Sequence, residues 1–208
     1  MTRLLLFGTG GHARACIDVI EQDGRYAIAG LTGVAAEVGS AVLGYPVLGT
    51  DADAPGLLEP GVVGLVTIGQ IKTPEARMRL FEVLYRHGRV VPAVVSPRAY
   101  VSRHATVGAG SIVMHGAVIN AGASIGQNCI VNSQALIEHD STVADHCHVS
   151  TGAKVNSGVR IGAGTFVGSN ASVRQGVTIG ARCVIGMAQV VLSDHPEGSH
   201  LPRRRAAL

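Results

Sequence analysis

The chain contains no tryptophan, and only 3% of its residues are aromatic. Large rings fill the cores of most globular layers, so a chain that is still 47% hydrophobic must fill its core with Val, Ile and Ala. Thin, repetitive layers meet that need. Long apolar runs are also missing: Leu4 to Phe7 is cut short by Gly8. That is well below a membrane span or a signal-peptide core, so a cytoplasmic protein with no membrane partner is expected. Charge excess is small. Seventeen Lys and Arg against fourteen Asp and Glu leave +3, and no basic run is interleaved with aromatics, which argues against nucleic acid. The one basic cluster, Arg203-Arg204-Arg205, reads either as a solvated tail or as a contact for a phosphorylated ligand. Cysteine is scarce, and Cys16, Cys129, Cys147 and Cys183 form no CxxC pair. A disulfide framework is therefore not expected.

What the sequence does have is a ladder. From Val95 to Val191 every sixth residue is Val or Ile, seventeen steps without an exception. A period of six matches neither the helical period of about 3.6 nor the strand period of about 2. It is the mark of a hexapeptide β-helix. If each ladder residue is position i, the small residue at i−2 shares its parity and points inward with it. Positions i−1 and i+1 point outward, and i+2 and i+3 turn the corner. Three units close a triangular coil of eighteen residues, and stacked coils bury the ladder. Cys129, Cys147 and Cys183 all take the small inward slot, as core hydrophobes.

The first 92 residues have another pattern. Arg3 to Phe7 reads as a buried strand, followed by Gly8-Thr9-Gly10-Gly11-His12-Ala13 and an amphipathic helix over 12–23. Strands are expected at Tyr26 to Leu31 and Val62 to Ile68, with a short extended piece at Tyr45 to Leu48. A helical turn is expected over 53–59 and a helix from Pro74 to Arg86. A strand from Arg89 to Val95 should feed the repeats. Strand–helix alternation implies a parallel three-layer α/β domain of Rossmann-like type. The glycine loop, between a strand and a helix, favours a phosphate on the helix N-terminus. Leu31-Thr32-Gly33 stands where a dinucleotide site would carry a ribose-binding acid. A nucleoside diphosphate attached to another group is the better expectation.

Among the repeat corners, Ile137-Glu138-His139-Asp140 differs from the rest. His139 and Asp140 fall at i+2 and i+3 and point outward. A histidine beside a carboxylate can act as a general base, oriented by its neighbour. His115 and His146 are further corner residues and His148 is an outward strand residue. His146-x-His148 need not converge, and no metal is expected.

These motifs together (GTGGH after a first strand, the strand end Ile68-Gly69, and Asn132…Ile137-Glu138-His139-Asp140…His146-Cys147-His148-Val149-Ser150) resemble the bacterial nucleotide-amino-sugar N-acetyltransferases. Their relatives, the sialic acid O-acetyltransferases, share the pattern. The resemblance covers nearly the whole chain. It implies a left-handed β-helix, a homotrimer, acetyl-CoA as donor, and active sites between subunits. It implies that Gly10, Gly11, His12 and Gly69 hold the nucleotide-linked amino sugar. His139 would be the catalytic base and Asp140 the group that raises its basicity. His148 would contact acetyl-CoA, with Ser169 and Met187 lining the CoA channel. Ser157, one coil on from His139, offers a backbone N–H to the developing oxyanion. Asp140 stands where Glu is common in the family. The stretch Ser199-His200-Leu201-Pro202-Arg203 departs from the usual family ending.

The expected organisation is a nucleotide-sugar-binding domain over 1–92, an acetyltransferase β-helix over 93–194 and a tail over 195–208. The expected reaction is acetyl-CoA-dependent N-acetylation of the 4-amino group of a nucleotide-linked 4-amino-4,6-dideoxy sugar. O-acetylation of a sialic acid-type sugar and a non-catalytic nucleotide-sugar-binding scaffold are the alternatives.

Overall fold

A computed structural model describes residues 1–201. Arg203-Arg204-Arg205 and the end of the tail lie outside the described residues. The fold is the expected one: an N-terminal α/β domain followed by a left-handed parallel β-helix of hexapeptide repeats.

The domain runs β1 (Thr2–Phe7), α1 (Gly11–Asp23), β2 (Tyr26–Gly33), β3 (Ala41–Val42), β4 (Tyr45–Thr50), α2 (Ala54–Leu57), β5 (Val62–Val66) and α3 (Glu75–Arg86). The sheet order is β3-β4-β2-β1-β5, parallel except for the β3–β4 pair. Alternation along β1 makes three layers: Leu4 and Leu6 pack with Cys16, Ile17 and Ile20 of α1, while Leu5 and Phe7 pack with Leu80, Phe81 and Leu84 of α3. The expected strand from Arg89 to Val95 is two pieces. Val90 bridges to Gly64 in the domain sheet, and β6 (Val94–Val95) joins the coil on Ile112–Val113. Pro92, with no N–H to give, lies in the gap.

The β-helix has three faces of two-residue strands, each paired with the strand eighteen residues on, as Val118↔Leu136 and Ile119↔Ile137 are. The first face stacks seven strands from β6 to His200–Leu201, the second six from Tyr100–Val101 to Val190–Val191, and the third five from Thr106–Val107 to Thr178–Ile179. The ladder and the small i−2 residues form one core. From Gly110 to Ala188 every i+3 residue has positive φ, whether glycine or not. The corner is thus a turn that ends in the left-handed region, where Asn, Asp and Gly are best tolerated. Backbone bonds continue across corners, with Gly158 N donating to His139 O at 3.0 Å.

The domain covers the first face. Ile112, Met114 and Ile130 of that face share a core with α1, β1 and β6. The third face stays polar outside, with Thr106, Ser124, Thr142, Arg160 and Thr178 at i−1. Among the described residues no helix is long and apolar enough to cross a membrane.

Candidate active site

The candidate site residues fall into two separate clusters. The first is built on the glycine loop. Gly8 has φ 121°, and a Cβ there would run into Ile68 Cγ2, so only glycine lets β1 pass so close to the end of β5. Thr67 Oγ1 closes the seam by donating to Gly8 O at 3.1 Å. Gly10 caps α1 with no side-chain cap, and no acidic residue occupies the first turn. Gly10 and Gly11 are exposed, and a Cβ on either would meet nothing within 4 Å. The result is an open helix N-terminus with free N–H groups, suited to an anion. Gly69 flanks it, its would-be Cβ 3.9 Å from His12 Cβ.

His12 leads down to His148. Their ring centroids are 6.3 Å apart, and His148 also packs edge-on against Phe166 at 5.2 Å. His148 is 6% exposed, because the domain lies over its strand. Its Nδ1 is 2.7 Å from Gln70 O, which can only accept, so Nδ1 carries the proton. Its Nε2 therefore accepts from Asn132 Nδ2 at 3.2 Å, and the Asn132 amide is oriented by Ser133 N–H on Oδ1. Both ring nitrogens are thus engaged within the chain. Burial, with Arg77 nearby, pushes His148 down to about 4 and His12 down to about 3, so both rings are neutral near pH 7.

The second cluster is the corner between the second and third faces. His139 Nδ1 lies 2.8 Å from Asp140 Oδ2, and the two side chains are 58% and 74% exposed. A carboxylate only accepts, so Nδ1 donates, and in the neutral ring the lone pair is on Nε2. Asp140 has φ 60°, the left-handed half of the corner. Glu138 behind it is held by Asn120 Nδ2 at 2.8 Å. His139, Asp140, Ser157, Gly158, Gln175 and Gly176 line one shallow depression. Ser157 lies one coil from His139, and its carbonyl accepts from Gly176 N at 2.9 Å.

Ser169 and Met187 fall on the remaining corner line, between the first and second faces. Ser169 Oγ pairs with Ser150 Oγ at 2.9 Å, and Met187 is 55% exposed. One chain therefore brings Gly10, Gly11, His12, Gly69 and His148 together and His139, Asp140 and Ser157 together, but does not join the two groups. His146 turns away from His148: it accepts from Asn128 Nδ2 at 3.0 Å and meets Phe81 edge-on. Among the described residues no three His, Cys, Asp or Glu side chains form a group able to hold a metal. All four cysteines are buried free thiols.

Sequence reasoning missed two carboxylates. Thr9 Oγ1 of the glycine loop donates to Glu37 Oε2 at 2.8 Å, and Thr32 Oγ1 at the end of β2 donates to Asp51 Oδ1 at 2.8 Å. Acids do lie beside this strand end, Glu37 from a 3-10 turn at Ala35–Glu37 and Asp51 from another at Asp51–Asp53, and not from the strand itself. The signal was Gly33, where a Cβ would crowd both Glu37 and Thr9.

Residues 3–84 match the family model described as the PglD N-terminal domain, and residues 158–187 match the bacterial transferase hexapeptide model of six repeats. The structure superposes on PerB from Caulobacter crescentus, solved in complex with CoA and GDP-perosamine. That match has a TM-score of 0.88 and 34% identity over 95% of this chain and 92% of that one. The chain belongs to the hexapeptide-repeat acyltransferase family of the GDP-perosamine and PglB-type N-acetyltransferases. A second member, the acetyltransferase domain of PglB from Neisseria gonorrhoeae FA1090 with acetyl coenzyme A, matches with a TM-score of 0.87. Identity there is 29% over 96% of this chain and 95% of that one. WeeI from Acinetobacter baumannii AYE, 19% identical over 97% of each chain, shares the fold with a TM-score of 0.77. No curated protein sequence matches the chain. Membership makes the protein an acetyltransferase, and its N-terminal domain and hexapeptide coil are the two parts this family combines.

Proposed function

We propose that the protein transfers the acetyl group of acetyl-CoA to the 4-amino group of a nucleotide-linked 4-amino-4,6-dideoxy sugar. The observation that carries this reading is the His139–Asp140 pair: a fixed tautomer with a free Nε2, on an exposed corner, in a chain of this family. The amine nitrogen attacks the thioester carbon, the C–N bond forms and the C–S bond breaks. His139 Nε2 takes the amine proton and Asp140 stabilises the imidazolium. The CoA sulfur leaves as a thiolate and is then protonated. The Ser157 backbone N–H serves the developing oxyanion. A base so placed contributes roughly 10²–10⁴-fold. The GDP-perosamine complex of the Caulobacter enzyme supports the substrate class, and the acetyl-CoA complex of the Neisseria domain supports the donor.

Gly10, Gly11, His12 and Gly69 hold the diphosphate side of the sugar in this reading, with Ser169 and Met187 beside CoA. His148, its ring held by Gln70 and Asn132, contacts acetyl-CoA in this reading. The working unit is a homotrimer, because the base and the glycine loop lie in clusters that one chain does not join. A cytoplasmic setting fits four cysteines that all remain free thiols. The decisive experiment follows CoA thiol release with a panel of nucleotide amino sugars, with free sialic acid, and with neither. Release with a nucleotide 4-amino sugar alone is expected; release with sialic acid alone would overturn the reading.

A further inference from the structure

Arg77 is the largest fully buried side chain among the described residues, 1% exposed. It reaches from α3 into the seam between domain and coil. Nη1 donates to Val66 O at 3.2 Å and Ile68 O at 2.6 Å, and Nη2 donates to Asn128 O at 3.0 Å and Oδ1 at 2.8 Å. Asn128 Nδ2 returns a bond to Arg77 O at 3.4 Å. Nε has no partner. None of the ion pairs among the described residues includes Arg77. Burial lowers the guanidinium only to about 10, so it stays a cation. The acidic groups that act on it are the thiols of Cys16 and Cys129, not a carboxylate. A buried cation without a carboxylate partner is destabilising, and four neutral oxygens could be served by a neutral donor.

The place of the charge supplies a reason for it. Ile68, whose carbonyl Arg77 holds, is the residue that closes on Gly8. The next residue, Gly69, flanks His12, and Gln70 then receives His148 and donates to Gly164 O at 3.0 Å. The guanidinium therefore stands directly behind the wall of the glycine loop. In that low-dielectric seam its field reaches the loop with little screening.

We infer that Arg77 is a positioning residue for the nucleotide-sugar: it clamps the Ile68–Gly69 wall to the coil and sets an unneutralised positive charge behind the loop that receives the diphosphate. This rests on the glycine loop being the nucleotide-sugar site. The anion missing inside the chain arrives with the ligand.

The test uses full-length Arg77→Gln and Arg77→Lys. It reads binding of inorganic pyrophosphate and of a nucleotide amino sugar, the KM of each substrate, and NMR titration of His12 and His148. Folded Arg77→Gln should weaken pyrophosphate and raise the sugar KM by about tenfold or more, with the acetyl-CoA KM little changed. His12 and His148 should titrate at higher pH, since Arg77 adds to the burial that depresses them. Arg77→Lys keeps the charge and should recover most of the affinity and the parental titrations. Parental pyrophosphate affinity in folded Arg77→Gln, or unmoved histidine titrations, would overturn the inference. So would a loss in Arg77→Lys as deep as that in Arg77→Gln. Should Arg77→Gln not fold, Arg77→Lys decides, because it keeps the charge without the fork. A parent protein that binds neither pyrophosphate nor nucleotide-sugar would sink the glycine-loop reading and this inference with it.

Discussion

His139 Nδ1 and Asp140 Oδ2 are 2.8 Å apart although the residues are adjacent in sequence. Neighbours on a strand point to opposite faces and could not meet this way. They meet here because Asp140, with φ 60°, turns the corner into the left-handed region and brings its carboxylate beside the preceding ring. His139→Ala should lower kcat by roughly 10²-fold or more with the fold intact, since an exposed corner adds little to the Val and Ile core. Asp140→Asn should cost less, because it weakens the imidazolium but leaves the base. Steady-state CoA release, with circular dichroism as the folding control, checks both. A folded His139→Ala as fast as the parent would place the base elsewhere.

The coil before this corner matters through one glycine. A Cβ at Gly122 would stand against Asp140 Oδ1, and Gly122 itself has φ 75°. Gly122→Ala should therefore lose about 1 kcal/mol or more of stability and also push the carboxylate off His139. Its kcat should fall toward that of Asp140→Asn. Gly116→Ala is the control: φ is 69°, but the nearest contact is an ordinary 3.5 Å to Gln134 on another corner line. Equal kcat in the two variants, both folded, would mean that Gly122 shapes only the backbone.

Acid should loosen the seam between domain and coil. His148 is pushed down to about 4 and His12 to about 3, against about 6.5 in an unfolded chain, chiefly by burial. Below pH 6.5 the unfolded chain binds these protons and the folded one does not, so stability is full above that pH. It falls as pH drops from 6.5 toward 4, by an amount on the order of a few kcal/mol. Urea midpoints at pH 7.5, 6, 5 and 4.5 would follow the loss. In His148→Gln the slope should be shallower whatever the stability at pH 7.5. An unchanged slope would show that this ring does not titrate with folding.

The repeat was legible in the sequence because each of its rules is local. The phase of Ile137 alone put His139 and Asp140 on a corner, and the parity of Cys129 and Cys147 put them in the core. The left-handed i+3 position was half hidden, because His146, Arg182 and Ala188 adopt it as well as glycine. What escaped the sequence depends on distant chain segments. His148 is outward by phase but buried by a domain whose Gln70 lies 78 positions earlier. Glu37 reaches Thr9 only because a turn after β2 folds back. Arg77 looks like one more helix-surface cation until α3 is laid against Asn128.

The last prediction concerns how the two clusters find each other. One chain holds the glycine loop over the first face and the His139 depression on the opposite corner, so under the proposed function a complete site would take its base from one copy and its nucleotide loop from another. Two variants should then be slow for different reasons. His139→Ala lacks the base, while Gly10→Phe blocks the loop and keeps its fold, since a Cβ at Gly10 meets nothing and its φ is −72°. Each should be trimeric by light scattering, and Gly10→Phe should raise the sugar KM while leaving the acetyl-CoA KM nearly unchanged. Mixing the two under conditions that exchange subunits should restore part of the parental rate, because some interfaces pair an intact loop with an intact base. The recovered sites should carry the parental sugar KM. Mixtures that exchange subunits yet stay as slow as the separate variants would mean that both clusters serve one site within one chain. A fully active monomer at micromolar concentration would remove the need for a partner altogether.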